Sequence, residues 1–204
     1  MLSTTTRPNF MPDERFAPLR PALQERMRLI GDSITPENFA GLCDGLVANV
    51  MNDGFRRAGA HEGSIWLLDK AHEHLVISYN TGRHGSERIG KVRQSVTKGI
   101  VSMVLASEHS FVENEIFHST SYDPTVDHSL NQLTWAMIVV PFYLLGQCRG
   151  VVSCVQVISP PDSTEPRPPG FDQSHLSSVQ LLAQTVTDLI DYRMLRLTVG
   201  WAGH

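Results

Sequence analysis

"AMIVVPFYLL" (Ala136–Leu145) and "GVVSCVQVIS" (Gly150–Ser159), with "GQCRG" between them, are the most continuously apolar stretches of the chain. Both are rich in Val, Ile, Met and Phe with little alternation of polar residues. Runs of this kind belong to strands covered on both faces. The glycine-flanked linker between them predicts a hairpin, so the pair is expected at the centre of an antiparallel sheet.

Further toward the N-terminus, "GSIWLLD" (Gly63–Asp69) and "HLVISYN" (His74–Asn80) are β-rich runs joined by the polar "KAHE", a second hairpin. "GRHGSERIGKVRQS" predicts a glycine-punctuated loop and a short strand around Ile89–Val92. "TKGIVSMVLASEHS" predicts a short amphipathic helix through Ile100, Met103, Val104 and Ala106, followed by "FVENEI" as a brief strand or turn. On the N-terminal side, residues 1–20 mix Pro, Thr and charges without periodicity and are expected to be a flexible leader. "RPALQERMRLI" (Arg20–Ile30) follows as helix material. "TPENFAGLCDGLVANVMNDGF" opens with a capping signal at Thr35 and a Pro in the first turn. A single helix is expected from it, with Phe39, Leu42, Leu46 and Val50 as its apolar stripe.

Five prolines in "PPDSTEPRPPG" exclude regular structure there. Beyond them "FDQSHLSSVQLLAQTVTDLIDYRMLRL" predicts a long final helix. Leu176, Val179, Ala183, Val186, Ile190 and Leu197 form one stripe; Leu181, Leu182 and Leu189 add a second flank, as expected of a helix that packs on the domain with one side and on a partner helix with the other. Together these elements predict an α+β domain, an antiparallel sheet with helices on its faces. Its bounds are 21–197, with a tail at 198–204.

With 204 residues, 41% hydrophobic and 19% charged, the chain can bury one core, and a net charge of −4 offers no electrostatic footprint for nucleic acid or an anionic membrane. No apolar run approaches the ~18 residues of a membrane span, and no secretory h-region opens the chain. Three widely spaced cysteines (Cys43, Cys148, Cys154) without zinc-site spacing are consistent with reduced thiols in a cytoplasmic protein. GxSxG, P-loop and HExxH motifs are lacking, so an enzyme is not expected.

Candidate chemistry concentrates in "FHSTSYDPTVDH" (Phe117–His128), directly before the central strand. Phe117, His118, Tyr122, Asp123 and Asp127 could wall a pocket whose floor is Met137, Val139 and Val155, with Trp66 or Trp135 stacking on its contents. The same residues are equally consistent with a connector in which Asp123–Pro124 starts a turn, Asp127 caps a helix and His118 is solvated. Arg83, Arg88, Lys91 and Arg93 could meet an anionic group of a ligand or simply protect a strand edge. The "HEHL" pair His72 and His74, with His61 nearby, lacks the third ligand that a metal site requires.

The order of these segments resembles the GAF domain family. The resemblance rests on "GSIWLLD", "TKGIVSMVLASEHSFVENEI", the Asp123-Pro124 segment with Asp127, the strand ending in Pro141-Phe142, and "FDQSHLSSVQLLAQTV". It covers roughly Phe39 to Tyr192 and is closest to the GAF domains of cyclic-nucleotide phosphodiesterases and cyclases. It implies a regulatory module that holds a small molecule between the sheet and Ile100–Ala106 with Phe117–His128, dimerises through its first and last helices, and signals to a protein in trans. The Asn-Lys pair and the following acidic pair of cyclic-nucleotide-binding members are replaced here by Ile158–Ser159 and His175–Leu176, although Phe171 is kept. Covalent bilin binding would need a cysteine near the pocket, and haem an axial ligand such as His118 or His128. The free-methionine-sulfoxide reductases of this fold work through cysteines around the pocket, and Arg83–Ser95 and Phe111–His128 contain none. The family alternatives are therefore a ligand-free interaction module and a cyclic-nucleotide-binding domain.

Overall fold

The computed structural model describes residues 13–158 and 166–201. Its centre is the expected pair of long strands, β5 (Leu133–Leu144) and β6 (Gln147–Ile158). The turn between them is tighter than "GQCRG": only Leu145 and Gly146 lie outside the strands, at φ 52° and 77°. Two successive left-handed residues make the turn whose twist matches a two-residue hairpin, so Gln147–Gly150 join the strand.

All strand pairs are antiparallel, in the order β3-β2-β1-β6-β5-β4. β1 (Glu62–Leu68) and β2 (His74–Asn80) form the second hairpin. The short strand expected at Ile89–Val92 lies further on, as β3 (Arg93–Ser95), after a single helical turn α3 (Gly85–Arg88). Gly90, at φ 75°, bends the chain there and its N–H donates to the Ile77 carbonyl, so regular pairing starts only beyond it. β4 (Phe111–Asn114) pairs with β5 at the opposite edge.

One face of the sheet carries α2 (Gly45–Arg57) and α6 (Gln173–Thr198), with α1 (Arg20–Ser33) lying along α6. The single helix expected from Thr35 is two pieces. A 3-10 helix spans Phe39–Leu42, and Asp44 then caps α2 by accepting the Val47 N–H at 3.1 Å. Restarting the helix at Asp44 resets its phase, so Val47, Met51 and Phe55 are buried while Leu46 is 57% exposed. α6 begins with a capping box: Asp172 accepts the Ser174 and His175 N–H groups, and the Asp172 N–H donates to His175 Nδ1. Its inward stripe is Leu176, Val179, Ala183, Val186, Ile190 and Met194, whereas Leu197 is 72% exposed and Leu181 69%.

The stretch read as a leader falls mostly on residues 1–12, outside those described; Glu14–Leu19 forms a 3-10 helix. Most of the proline-rich loop and residues 202–204 of the tail also lie outside them. No described helix is long and apolar enough to cross a membrane.

The second face carries α4 (Gly99–Ser107), a 3-10 turn (Ile116–His118) and α5 (Thr125–Leu130). Two apolar clusters result, one per face. Ile138, Val140 and Phe142 of β5 pack under α6, while Met137 and Val139 face α4.

Candidate functional site

The face under α4 and α5 encloses a cavity of about 70 Å³. β1 and β6 supply its floor through Ser64, Trp66, Ser153 and Val155; Met137 and Thr134 come from β5, and Ile77 and Asn80 from β2. α4 roofs it with Ile100 and Val101, and Tyr122, Asp123 and Asp127 close it from α5 and the turn before it.

Asp127 holds this lid. The residue is only 7% exposed, and its carboxylate accepts three bonds, from the Tyr122 hydroxyl at 2.8 Å, the Thr134 N–H at 2.7 Å and the Thr134 hydroxyl at 2.8 Å. A short helix is thereby tied to the start of the central strand. Burial, and then the Asp127 carboxylate that accepts its proton, push the Tyr122 phenol well above its ordinary value. Asp123 accepts from the Thr125 N–H and hydroxyl and from Gln94 Nε2 at 3.1 Å.

The Thr125 hydroxyl first, then the Thr125 N–H and Gln94, hold the Asp123 carboxyl below its ordinary 3.8. Folded Asp123 thus binds its proton less tightly than unfolded Asp123. Its stabilising contribution is present above 3.8 and is lost as pH falls through the lowered native value. Between about pH 5 and pH 3 the parent is expected to lose more stability than Asp123→Asn, read from urea midpoints at each pH; equal losses would show that Asp123 does not brace the lid in acid.

Of the nine residues expected at a ligand site, Trp66, Tyr122, Asp123, Asp127 and Met137 line the cavity. Val139 is fully buried in the apolar cluster of that face without reaching the cavity. Phe117 and His118 point away. Phe117 is 46% exposed, and His118 is exposed with Nδ1 3.4 Å from Glu115. Trp135 lies on the other face, where Phe117 packs 5.7 Å from it and the Arg167 guanidinium sits 4.8 Å over its ring. The reason is a bulge: pairing with β6 shifts between Thr134 and Ala136, which breaks the alternation that would have grouped Trp135 with Met137 and Val139.

Thr134 takes the place expected of Trp135, and strand alternation gives no signal for that exchange. Ser64 and Ser153 were legible in principle, as isolated polar residues in apolar strands. Glu62, Gln94 and Gln132 carry no local signal. Among the four basic residues of the glycine-rich segment only Arg88 lines the cavity. It is ion-paired with Glu62, both side chains being less than 15% exposed, so its charge is not free for an anion. His61, His72 and His74 are not brought together: the His61 Nδ1 accepts the Val157 N–H, His74 pairs with Asp69, and no cluster of three metal-ligating side chains occurs among the described residues.

None of the three cysteines lines the cavity. Cys154 faces the opposite cluster, where burial drives its thiol far up. Burial also raises Cys43, to about 11, and Cys148. A thiol so raised is a poor nucleophile, because the thiolate is the reactive form.

No family model matches the sequence, and no curated protein does. Solved structures match at low identity. The GAF domain of a phosphoenolpyruvate-protein phosphotransferase from Coxiella burnetii is 14% identical with TM-score 0.58, over 90% of this chain and 97% of that one. The free methionine-R-sulfoxide reductase of Neisseria meningitidis, in complex with its substrate, is 18% identical with TM-score 0.53, over 94% and 98%. The GAF-B domain of DevS from Mycobacterium smegmatis is 16% identical with TM-score 0.52, over 75% and 98%. These likenesses establish the fold that the order of segments implied.

Proposed function

We propose that this GAF-fold chain is a regulatory sensor in which a small ligand under α4 and α5 biases the arrangement of the terminal helices. The observation that carries the reading is the reach of β5. At one end Thr134 holds the lid carboxylate of Asp127. At the other, the Tyr143 carbonyl accepts the Thr187 hydroxyl at 2.7 Å and, in the turn just beyond the strand, the Leu145 N–H donates to Asp191 at 2.9 Å, both on α6. A ligand that binds one position of the lid more tightly than another shifts the population of states that this strand reports to α6.

Leu29, Leu181 and Leu197 leave 46%, 69% and 72% of their surface exposed on α1 and α6, which favours pairing with a second copy and contact with a signalling protein in trans. The reading is non-catalytic, since no cysteine lines the cavity and the three thiols are raised by burial. Reduced, unpaired cysteines also favour a cytoplasmic setting.

The second reading, a ligand-free interaction module, is favoured by the pairing of the wall's charged groups: the Asp123, Asp127 and Glu62 carboxylates all hold protein donors. A cyclic nucleotide is favoured less, because about 70 Å³ is far below the ~300–1,000 Å³ of pockets for drug-sized ligands.

Native mass spectrometry of the purified chain tests the proposal. A dimer heavier than two bare chains is expected. Leu181→Glu with Leu197→Glu is expected to give monomers that keep the extra mass, since neither side chain touches the cavity. A bare dimer would favour the interaction module, and an unchanged dimer in the double variant would remove α6 from the interface.

A further inference from the structure

Ser64 and Ser153 are directly paired across β1 and β6, and they are 7% and 3% exposed. Each hydroxyl oxygen is used as an acceptor. Asn80 Nδ2 donates to Ser64 Oγ at 2.8 Å, and the Trp66 indole Nε1 donates to Ser153 Oγ at 3.0 Å. Amide and indole N–H groups only donate, so both serine protons are left over, and neither has an acceptor among the described residues. Two adjacent hydroxyl donors therefore stand in the cavity floor.

The carboxylates of the wall already hold protein donors. Asp127 takes three protein donors, Asp123 takes three, and Glu62 holds Arg88. With three carboxylates against one guanidinium, a further anion would meet repulsion that Arg88, committed to Glu62, does not offset. A cation would compete with the donors already on those carboxylates. Volume adds its own limit: about 70 Å³, against the ~10–15 Å³ that one water needs, admits only a few non-hydrogen atoms.

From these donors and charges we infer that the cavity takes a small uncharged molecule whose carbonyl or amide oxygen accepts from Ser64 and Ser153, with its apolar part against Trp66, Met137 and Val155. The inference rests on the sensor reading above and gives that ligand its chemical class. Uncharged acceptors add no charge to a wall already rich in carboxylates, and they use the two protons that the fold leaves unspent.

The test uses the full chain labelled with ¹⁵N and follows the Trp66 indole N–H during titration with acetamide, acetate or methylammonium, three probes of similar size and different charge. Trp135 and Trp201 lie outside the cavity and act as internal controls. Acetamide is expected to shift the Trp66 resonance saturably at millimolar concentration, leaving the other two indoles in place. Ser64→Ala, which leaves the Trp66 bond intact, is expected to weaken acetamide binding about fivefold, the worth of one neutral hydrogen bond. Ser153→Ala is expected to do the same, read from amides of α5. A response to acetate or methylammonium in place of acetamide would overturn the class and leave the sensor reading standing. If no probe moves Trp66 while the native mass carries a bound molecule, the class alone fails. If no probe moves it and the native mass is bare, both fail.

Discussion

Gly150→Ala is expected to lower stability by about 3 kcal/mol, at the upper end of the range for overpacked cores. A Cβ at Gly150 would lie 1.8 Å from the Trp66 carbonyl oxygen and 3.0 Å from the Leu67 Cα, backbone atoms of the neighbouring strand. No rotamer change relieves such a clash, so β1 and β6 must separate where Leu67 faces Gly150, one residue from the cavity wall at Trp66. Gly54→Ala is the informative contrast. Its Cβ would meet the flexible end of Leu182 at 2.5 Å, and alanine regains about 1 kcal/mol of helix propensity, so the net change is expected to stay within about 1 kcal/mol. Urea midpoints at constant m-value measure both. A Gly150→Ala variant as stable as the parent would mean that β1 and β6 tolerate separation, and would remove the reason for glycine at that position.

Asp127→Ala is expected to cost about 2–4 kcal/mol, because it strands the Thr134 N–H in a buried setting and leaves the Tyr122 and Thr134 hydroxyls to find new partners. The backbone N–H matters most, since it is fixed by the strand and cannot turn toward water. Asp127→Asn keeps one acceptor oxygen and is expected to lose about half as much. Hydrogen exchange should locate the effect, with faster exchange at Thr134 and along α5 and little change in α6. Uniform loss of protection through α6 would show instead that Asp127 braces the whole sheet, and that α5 is no separate lid.

Much of the fold could be read from period and punctuation. The apolar runs around Val139 and Val152 placed the central hairpin, and the stripe from Leu176 to Ile190 gave the long final helix, because local patterning decides which face of an element is buried. Reading failed where one residue resets a phase. Asp44 restarted a helix and exposed Leu46, and the two left-handed residues Leu145 and Gly146 closed a turn two residues long. Ile190 shows the same limit: its stripe suited a partner helix as well as a core, and it is fully buried within the chain.

The α+β class, the central hairpin, the long last helix and the place of Asp123 and Asp127 directly before the central strand are legible in the residues alone. Each of those follows from local spacing of apolar and turn-forming residues. Which side chains meet in the cavity depends instead on pairing between distant segments. The bulge after Thr134 moved Trp135 to the other face, and the strand order brought Ser64 beside Ser153 and Glu62 beside Arg88. Period fixes which way a side chain points along a regular strand, whereas its neighbours depend on register and pairing between strands distant in sequence, and a single bulge reverses the assignment.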